Sequence, residues 1–100
     1  MAETITKVRE SIDTVTLEPG KFKVVLLNDD KTPIEFVIAL LIKVFRHSEA
    51  SAIDVTMQVH NDGAGVAGIY SYEIAEQKSI EGTNLSRQHG YPLILKVEAE

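Results

Sequence analysis

Residues 26–37 read LLNDDKTPIEFV, and this stretch joins the end of an apolar strand to the start of a helix. Thr32 is a favourable N-cap residue, Pro33 suits the first helical position, and Glu35 lies three residues after Thr32. Thr32 and Glu35 therefore form a predicted capping box, in which each side chain accepts a hydrogen bond from a backbone N–H group at the helix start. We expect the helix to begin at a fixed position after this strand.

Three polar residues, Asn28, Asp29 and Asp30, lie between the strand and the helix. Asn28 supplies a carbonyl acceptor and the aspartates supply two carboxylates, and this combination suits a cationic nitrogen. The alternative is a simple turn, because Asn and Asp favour turns through hydrogen bonds to the nearby backbone. The stretch therefore predicts either a turn or a ligand site at the end of the strand.

The hydrophobic pattern on both sides of this stretch predicts three strands and three helices. Residues 21–27 alternate and then become apolar, as in a strand that enters a core, and residues 34–45 carry apolar side chains at helical spacing. The other predicted elements are a helix from Ser48 to a stop at Gly63, a strand over 66–70, a helix over 72–89 that Gly82 weakens, and a strand over 93–97. The order is β-α-α-β-α-β, which places the chain in the α/β (α+β) class.

Length and composition predict one small domain. The chain has 100 residues, of which 44% are hydrophobic and 25% are charged. Residues 1–20 are too polar to join a core and are expected to form a flexible extension, while residues 21–100 form the core domain. The net charge of -5 argues against nucleic acid and anionic membranes as partners. With no apolar span and no signal-like N-terminal segment, the protein is expected in the cytoplasm.

The sequence contains no motif that predicts an enzyme or a cofactor. Residues 63–68 match the G-x-G-x-x-G pattern, but here a helix ends and a strand begins, which is the reverse of a phosphate-binding loop. The histidines are isolated and the chain has no cysteine, so neither a metal site nor a thiolate nucleophile is predicted. A nucleophile elbow of the G-x-S-x-G type is also absent.

His60 is the other residue with chemical potential. It follows Thr56 and Met57 by one helical turn and is therefore expected to be half-buried beside apolar side chains. One interpretation is a structural histidine with satisfied hydrogen bonds. The other is a ligand to a cation, because a partly desolvated imidazole tends to stay neutral and keeps an acceptor nitrogen.

Residues 28–37, NDDKTPIEFV, resemble the N-D-D-x-T-P-[hydrophobic]-E-F-V signature of the ClpS family of Clp protease adaptors. The similarity continues at residues 59–60, 68–70, 73–78 and 89–93, and it covers about residues 21 to 98. The resemblance implies a small single domain in which three helices pack on a three-stranded antiparallel sheet. It also implies a non-enzymatic adaptor, expected to be a monomer, that binds proteins beginning with Leu, Phe, Tyr or Trp and delivers them to a AAA+ unfoldase, usually ClpA.

The resemblance also implies which residues bind the substrate. The α-amino group of the substrate would contact Asn28, Asp29, Asp30 and His60. Because side chains two apart on a strand point the same way, Asn28 and Asp30 are expected to share one side while Asp29 turns outward. Asp30 is therefore the preferred partner of the ammonium group. The hydrophobic pocket for the first side chain would be lined by Leu27, Thr32, Pro33, Ile34, Val37, Thr56, Val59 and Leu93.

Two residues match positions that the family uses to dock on the N-terminal domain of the unfoldase, namely Glu73 and Lys78. Without the resemblance they would be interpreted as an ordinary solvated helix face. Two pocket positions depart from the family pattern: Thr56 and Ile34 each stand where the family commonly has Met. These departures predict a pocket wall of different size and polarity.

Two other functions remain possible from the sequence. A structural or ribosome-associated interaction domain can share this kind of fold, since fold does not fix function. A sensor of small amines or amino acids could use the same acidic cluster, and it would bind free amino acids as well as peptides.

Overall fold

A computed structural model of the protein describes residues 20–100. These residues form the elements in the predicted order: β1 (Phe22–Leu27), α1 (Ile34–Lys43), α2 (Glu49–Asp62), β2 (Ala64–Tyr70), α3 (Tyr72–Gln88) and β3 (Ile94–Ala99). The prediction of a β-α-α-β-α-β chain is confirmed. The predicted flexible extension, residues 1–20, lies outside the described residues except for Gly20.

The three strands form one sheet with β1 at its centre. The strand order is β2-β1-β3, and β1 runs antiparallel to both neighbours. The apolar run predicted for this strand explains its place, because Val24, Val25 and Leu26 are all buried. The predicted three-stranded antiparallel sheet is therefore confirmed.

The core forms where α1, α2 and α3 pack on one face of this sheet. Val24 and Leu26, two residues apart on β1, point to the same face and belong to the core. The helical spacing of apolar residues in α1 buries one side of that helix in the same cluster. The remaining buried members are Val37, Leu40, Leu41, Val44, Phe45, Ala52, Val59, Ala67, Ala75, Leu93 and Leu95.

Helix α2 begins and ends where local sequence signals predict. The Ser48 side chain accepts a hydrogen bond from the Ser51 backbone N–H at 3.1 Å, and Gly63 ends the helix with a φ of 88° in the left-handed region. A Cβ at Gly65 would lie 2.8 Å from a methyl carbon of Val59. A glycine at this position therefore lets α2 approach β2 closely.

A histidine fixes the start of α2 to a bulge in the sheet. Val24 pairs with Gly68 and Val25 pairs with Val66, which leaves Ala67 as the extra residue of β2. His47 Nε2 donates to the Ala67 carbonyl at 2.6 Å, and Nδ1 lies 2.6 Å from the Ser51 hydroxyl. In a neutral ring the Nε2 atom then carries the proton and Nδ1 accepts from Ser51.

No helix within residues 20–100 has the length and apolar character needed to cross a membrane.

Candidate functional site

The end of β1 and the end of α2 meet, and this brings the polar residues of the two segments together. The Asn28 backbone N–H donates to the Gly63 carbonyl at 2.9 Å, directly after the last turn of α2. His60 belongs to that last turn. The residues predicted for the α-amino group, although about thirty positions apart in sequence, are therefore neighbours in the fold.

Asp29 organises the turn between β1 and α1. One of its carboxylate oxygens accepts from the backbone N–H groups of Lys31 at 2.8 Å and Thr32 at 2.7 Å. The other accepts from the Thr32 hydroxyl at 2.9 Å. The prediction that Asp29 turns outward is wrong, because its part-buried carboxylate folds back over the turn. The turn interpretation of this stretch is thus correct for Asp29.

The same hydrogen bonds overturn the predicted capping box. The Thr32 hydroxyl donates to Asp29, and no backbone N–H of residues 20–100 donates to it, so Thr32 does not cap α1. Pro33 occupies the N-cap position without a side-chain cap, and its carbonyl accepts from the N–H groups of Phe36 and Val37 at 3.1 and 3.2 Å. The Asp29 carboxylate is a charged acceptor, so it orients the Thr32 hydroxyl toward itself and away from the N–H groups at the helix start. Glu35 remains in the first turn, where its charge suits the helix dipole.

The pKa of the Asp29 carboxyl lies below its usual range. Burial acts to raise this pKa, but the hydrogen bonds from Lys31 and Thr32 and the positive charge of Arg87 together outweigh it. Asp29 therefore stays ionised across the neutral range and holds the turn as an anion. In contrast, Asp30 is exposed, and its carboxylate accepts no hydrogen bond from a residue within 20–100.

A cavity of about 300 Å³ opens between this turn, the start of α1 and the last turns of α2. Its mouth carries the exposed Asn28, Asp30 and His60, whereas Val37, Thr56 and Val59 in its wall are buried. The complete lining is Asn28, Asp29, Asp30, Thr32, Ile34, Val37, Thr56, Val59 and His60. The arrangement combines acceptors for a cation with an apolar chamber beneath them.

Three residues predicted for the pocket do not line it. Leu26 points into the core, so Leu27 points to the opposite face of the sheet. Leu93 is buried in the core cluster. Pro33 takes the N-cap position of α1. The local alternation along β1 and the burial of Leu93 explain these differences.

His60 is exposed, so the prediction of a half-buried side chain is wrong. It lies at the end of α2, where the cavity opens to solvent. No residue within 20–100 forms a hydrogen bond with the His60 ring, which argues against a structural histidine with satisfied hydrogen bonds. As a neutral ring, His60 offers an acceptor nitrogen at the cavity mouth beside Asn28 and Asp30.

Thr56 places a hydroxyl group in the otherwise apolar wall. Its side chain is 2% exposed, and Oγ1 is a buried side-chain oxygen without a hydrogen-bond partner among residues 20–100. An unsatisfied buried hydroxyl costs about 1–3 kcal/mol of stability.

Arg87 contributes to the site through its contacts near the turn, and this role was not predicted from the sequence. Its Nη1 donates to the Tyr91 carbonyl at 2.8 Å and to the Leu93 carbonyl at 2.9 Å. These bonds hold the connection from α3 to β3 near the turn, where the charge of Arg87 also acts on Asp29. A basic residue in the last turn of a helix was the available signal, but its partners lie beyond the helix in sequence.

The two residues predicted for docking differ in their surroundings. Glu73 is exposed in the first turn of α3. The part-buried Lys78 donates to the Val44 carbonyl at 2.9 Å, and its Nζ lies 5.6 Å from the centre of the Tyr70 ring. A simple solvated helix face therefore describes Glu73 but not Lys78.

No cluster within residues 20–100 brings together enough His, Asp or Glu side chains to hold a metal ion.

Comparison with known proteins identifies the family of this chain. The family model described as "ATP-dependent Clp protease adaptor protein ClpS" matches residues 17–96, which include every residue that lines the cavity. The chain belongs to the ClpS family. The resemblance seen in the sequence is thereby confirmed, and ClpS proteins are adaptors of the Clp protease.

Curated ClpS relatives and a solved ClpS structure agree with this assignment. The ATP-dependent Clp protease adapter protein ClpS of Helicobacter hepaticus is 47% identical over 83 residues, which cover 83% of this chain and 84% of the relative. The ClpS of Shewanella piezotolerans is 40% identical over 96 residues, or 96% and 94% of the two chains. Agrobacterium tumefaciens ClpS2 bound to L-phenylalaninamide is 43% identical, with a TM-score of 0.81 over 83% of this chain and all of that one.

Proposed function

We propose that this ClpS protein binds the N-terminal residue of substrate proteins in the cavity between β1, α1 and α2. The observation that carries the proposal is one cavity with apolar side chains in its wall and, at its mouth, acceptor side chains to which no residue within 20–100 donates a hydrogen bond. The ligand named for the Agrobacterium relative supports it, because L-phenylalaninamide has a free α-amino group and an aromatic side chain. The protein is then an adaptor that performs no chemistry and needs no cofactor.

Asn28, Asp30 and His60 are the proposed acceptors for the α-amino group. A protonated amine has three N–H donors, and burying one of them without a partner is costly. Asp30 is a better candidate than Asp29, because the Asp29 carboxylate already accepts three hydrogen bonds from Lys31 and Thr32. The two nearby carboxylates also give the cavity mouth a negative potential that favours a cation.

The apolar wall is proposed to select the first side chain. Ile34, Val37, Thr56 and Val59 line the chamber. Burying an aromatic side chain of about 150–250 Å² contributes some 4–6 kcal/mol gross, before the costs of association. Neither part alone gives useful affinity, so the acceptors identify a chain start and the chamber identifies a large apolar residue.

Delivery to a AAA+ Clp unfoldase, with ClpA as the proposed partner, would use another surface. Glu73 is exposed beside the exposed apolar residues Tyr72 and Ile74 in the first turn of α3. A charge next to uncovered apolar area suits a protein interface. Lys78 supports this surface by tying α3 to the end of α1. We propose that the protein acts as a cytoplasmic monomer, with residues 21–100 as the binding domain and residues 1–20 as an extension used in delivery.

A titration with three ligands tests the proposal. A fluorescent peptide that begins with Phe is compared with its N-acetylated form and with free Phe. N-terminal recognition predicts that the unmodified peptide binds, that acetylation abolishes binding, and that free Phe binds more weakly. A ribosome-associated or structural domain predicts that none of the three binds. A small-molecule amine sensor predicts that free Phe binds as well as the peptide.

A further inference from the structure

The buried hydroxyl of Thr56, which has no hydrogen-bond partner among residues 20–100, needs an explanation. A buried polar atom without a hydrogen bond is uncommon in folded proteins, and each case calls for a physical reason. In a helix, Thr often donates to a carbonyl one turn back, but Thr56 does not make that bond. Because Thr56 lines the proposed binding cavity, a ligand is available as the missing partner.

The position of Thr56 indicates which part of a ligand would reach it. Thr56 and His60 are four residues apart on α2 and lie on the same helix face. The helical rise places them about 6 Å apart along the axis. His60 is exposed at the mouth, and Thr56 is buried in the wall. A first residue with its amino group at His60 therefore extends its side chain toward Thr56, over the length of an aromatic side chain.

We infer that Thr56 makes this cavity selective for an N-terminal tyrosine relative to phenylalanine, through a hydrogen bond between the two hydroxyl groups. This inference rests on the proposed function and names a determinant of its substrate choice. The Tyr phenol can both donate and accept, as can the Thr hydroxyl, so either group can supply the proton. Because Oγ1 is buried, the hydrogen bond requires Thr56 to change its χ1 rotamer when the ligand binds.

Two substitutions separate the hydroxyl from the shape of the side chain. Thr56→Val keeps the volume and removes the hydroxyl, whereas Thr56→Ser keeps the hydroxyl and removes the methyl group. Affinities are measured by fluorescence anisotropy for peptides that differ only in a first Tyr, Phe or 4-methylphenylalanine. The last residue has nearly the size of Tyr but cannot form a hydrogen bond.

Thr56→Val is expected to lower the ratio of Tyr to Phe affinity about fivefold, the effect of one ordinary hydrogen bond. Thr56→Ser is expected to keep that ratio, and the 4-methylphenylalanine peptide is expected to show no comparable change between wild type and Thr56→Val. Circular dichroism spectra should show that both variants are folded.

An unchanged Tyr to Phe ratio in Thr56→Val overturns the inference, as does an equal change for 4-methylphenylalanine. The proposed function survives either result as long as the Phe peptide binds and its N-acetylated form does not. If no peptide with a free N-terminus binds to wild type, the proposed function fails, and the inference fails with it.

Discussion

The two neighbouring aspartates should respond differently to the same loss of charge. Asp30→Asn removes one carboxylate from the cavity mouth without breaking any hydrogen bond within residues 20–100. A hydrogen bond to a charged group is worth about 1.5–3 kcal/mol, so affinity for a Phe peptide should fall roughly 10- to 150-fold. Because the side chain is exposed, the free energy of unfolding should change by less than about 0.5 kcal/mol.

Asp29→Asn should instead destabilise the fold. The substitution weakens three hydrogen bonds that hold the turn, and neutral acceptors form bonds roughly half as strong as charged ones. We expect a loss of about 1–3 kcal/mol. For a domain of this size each kcal/mol corresponds to roughly 4–8 °C in Tm. Peptide binding should fall as well, but only because the turn is displaced.

Fluorescence anisotropy and thermal denaturation of both variants provide the test. Asp54→Asn is the matched control, since Asp54 is exposed on α2 and does not line the cavity. It should change neither affinity nor Tm. The assignment is refuted if Asp30→Asn binds like wild type while Asp29→Asn loses binding at an unchanged Tm. That pair of results would make Asp29 the partner of the ammonium group.

Four further outcomes are expected. Because the pKa of Asp29 is lowered in the folded protein, this carboxylate stabilises the fold above the unfolded pKa of about 3.9, and the contribution is lost as pH falls through the folded pKa. The free energy of unfolding of Asp29→Asn, measured by acid denaturation, should therefore depend less on pH in that window than that of the wild type. His60→Ala should weaken the affinity for a Phe peptide roughly tenfold or more, since it removes one proposed acceptor of the α-amino group, and a titration of the variant would measure the loss. A chain that starts at Lys21 should bind peptides normally but fail to support degradation by the unfoldase and protease, which a degradation assay measures against the full-length protein. Peptides that begin with an aromatic residue should bind more tightly than a peptide that begins with Leu, and peptides that begin with branched Ile or Val should bind poorly because Ile34 is stiff; a series of peptides that differ only in the first residue measures this. Thr56→Met should reduce the difference in affinity between the Phe and Leu peptides. A wild-type protein that prefers Leu over every aromatic residue would contradict this prediction.

Local signals in the sequence predict most of the fold. The apolar run before Asn28 identifies the central strand, and helical spacing after Ile34 identifies α1. Ser48 and Gly63 set the limits of α2 through interactions that span only a few residues. Such features depend on near neighbours, and for this reason they can be inferred without a structure.

Competition between partners limits prediction at the turn. Thr32 has the right spacing from Glu35 for a capping box, but Asp29 provides a charged acceptor that binds the Thr32 hydroxyl instead. Both arrangements are local, and the sequence alone does not rank them. The prediction that Asp29 turns outward was wrong because it rested on strand alternation, and the chain bends at this position.

Long-range contacts account for the remaining differences. Gly82 was expected to weaken α3, yet a Cβ there would lie 2.6 Å from a methyl carbon of Leu95, so the glycine permits α3 to approach β3. The hydrogen bonds of Arg87 to the Leu93 carbonyl and the burial of Leu93 likewise depend on how α3 and β3 meet. These contacts exist only once the elements have packed.

The structure of this protein bound to a short peptide that begins with Phe would test the central claim most directly. We expect the α-amino group within hydrogen-bonding distance of Asn28, Asp30 and His60, and the phenyl ring against Val37 and Val59. A peptide whose amino group points to solvent, or whose first side chain lies outside this cavity, would contradict the account.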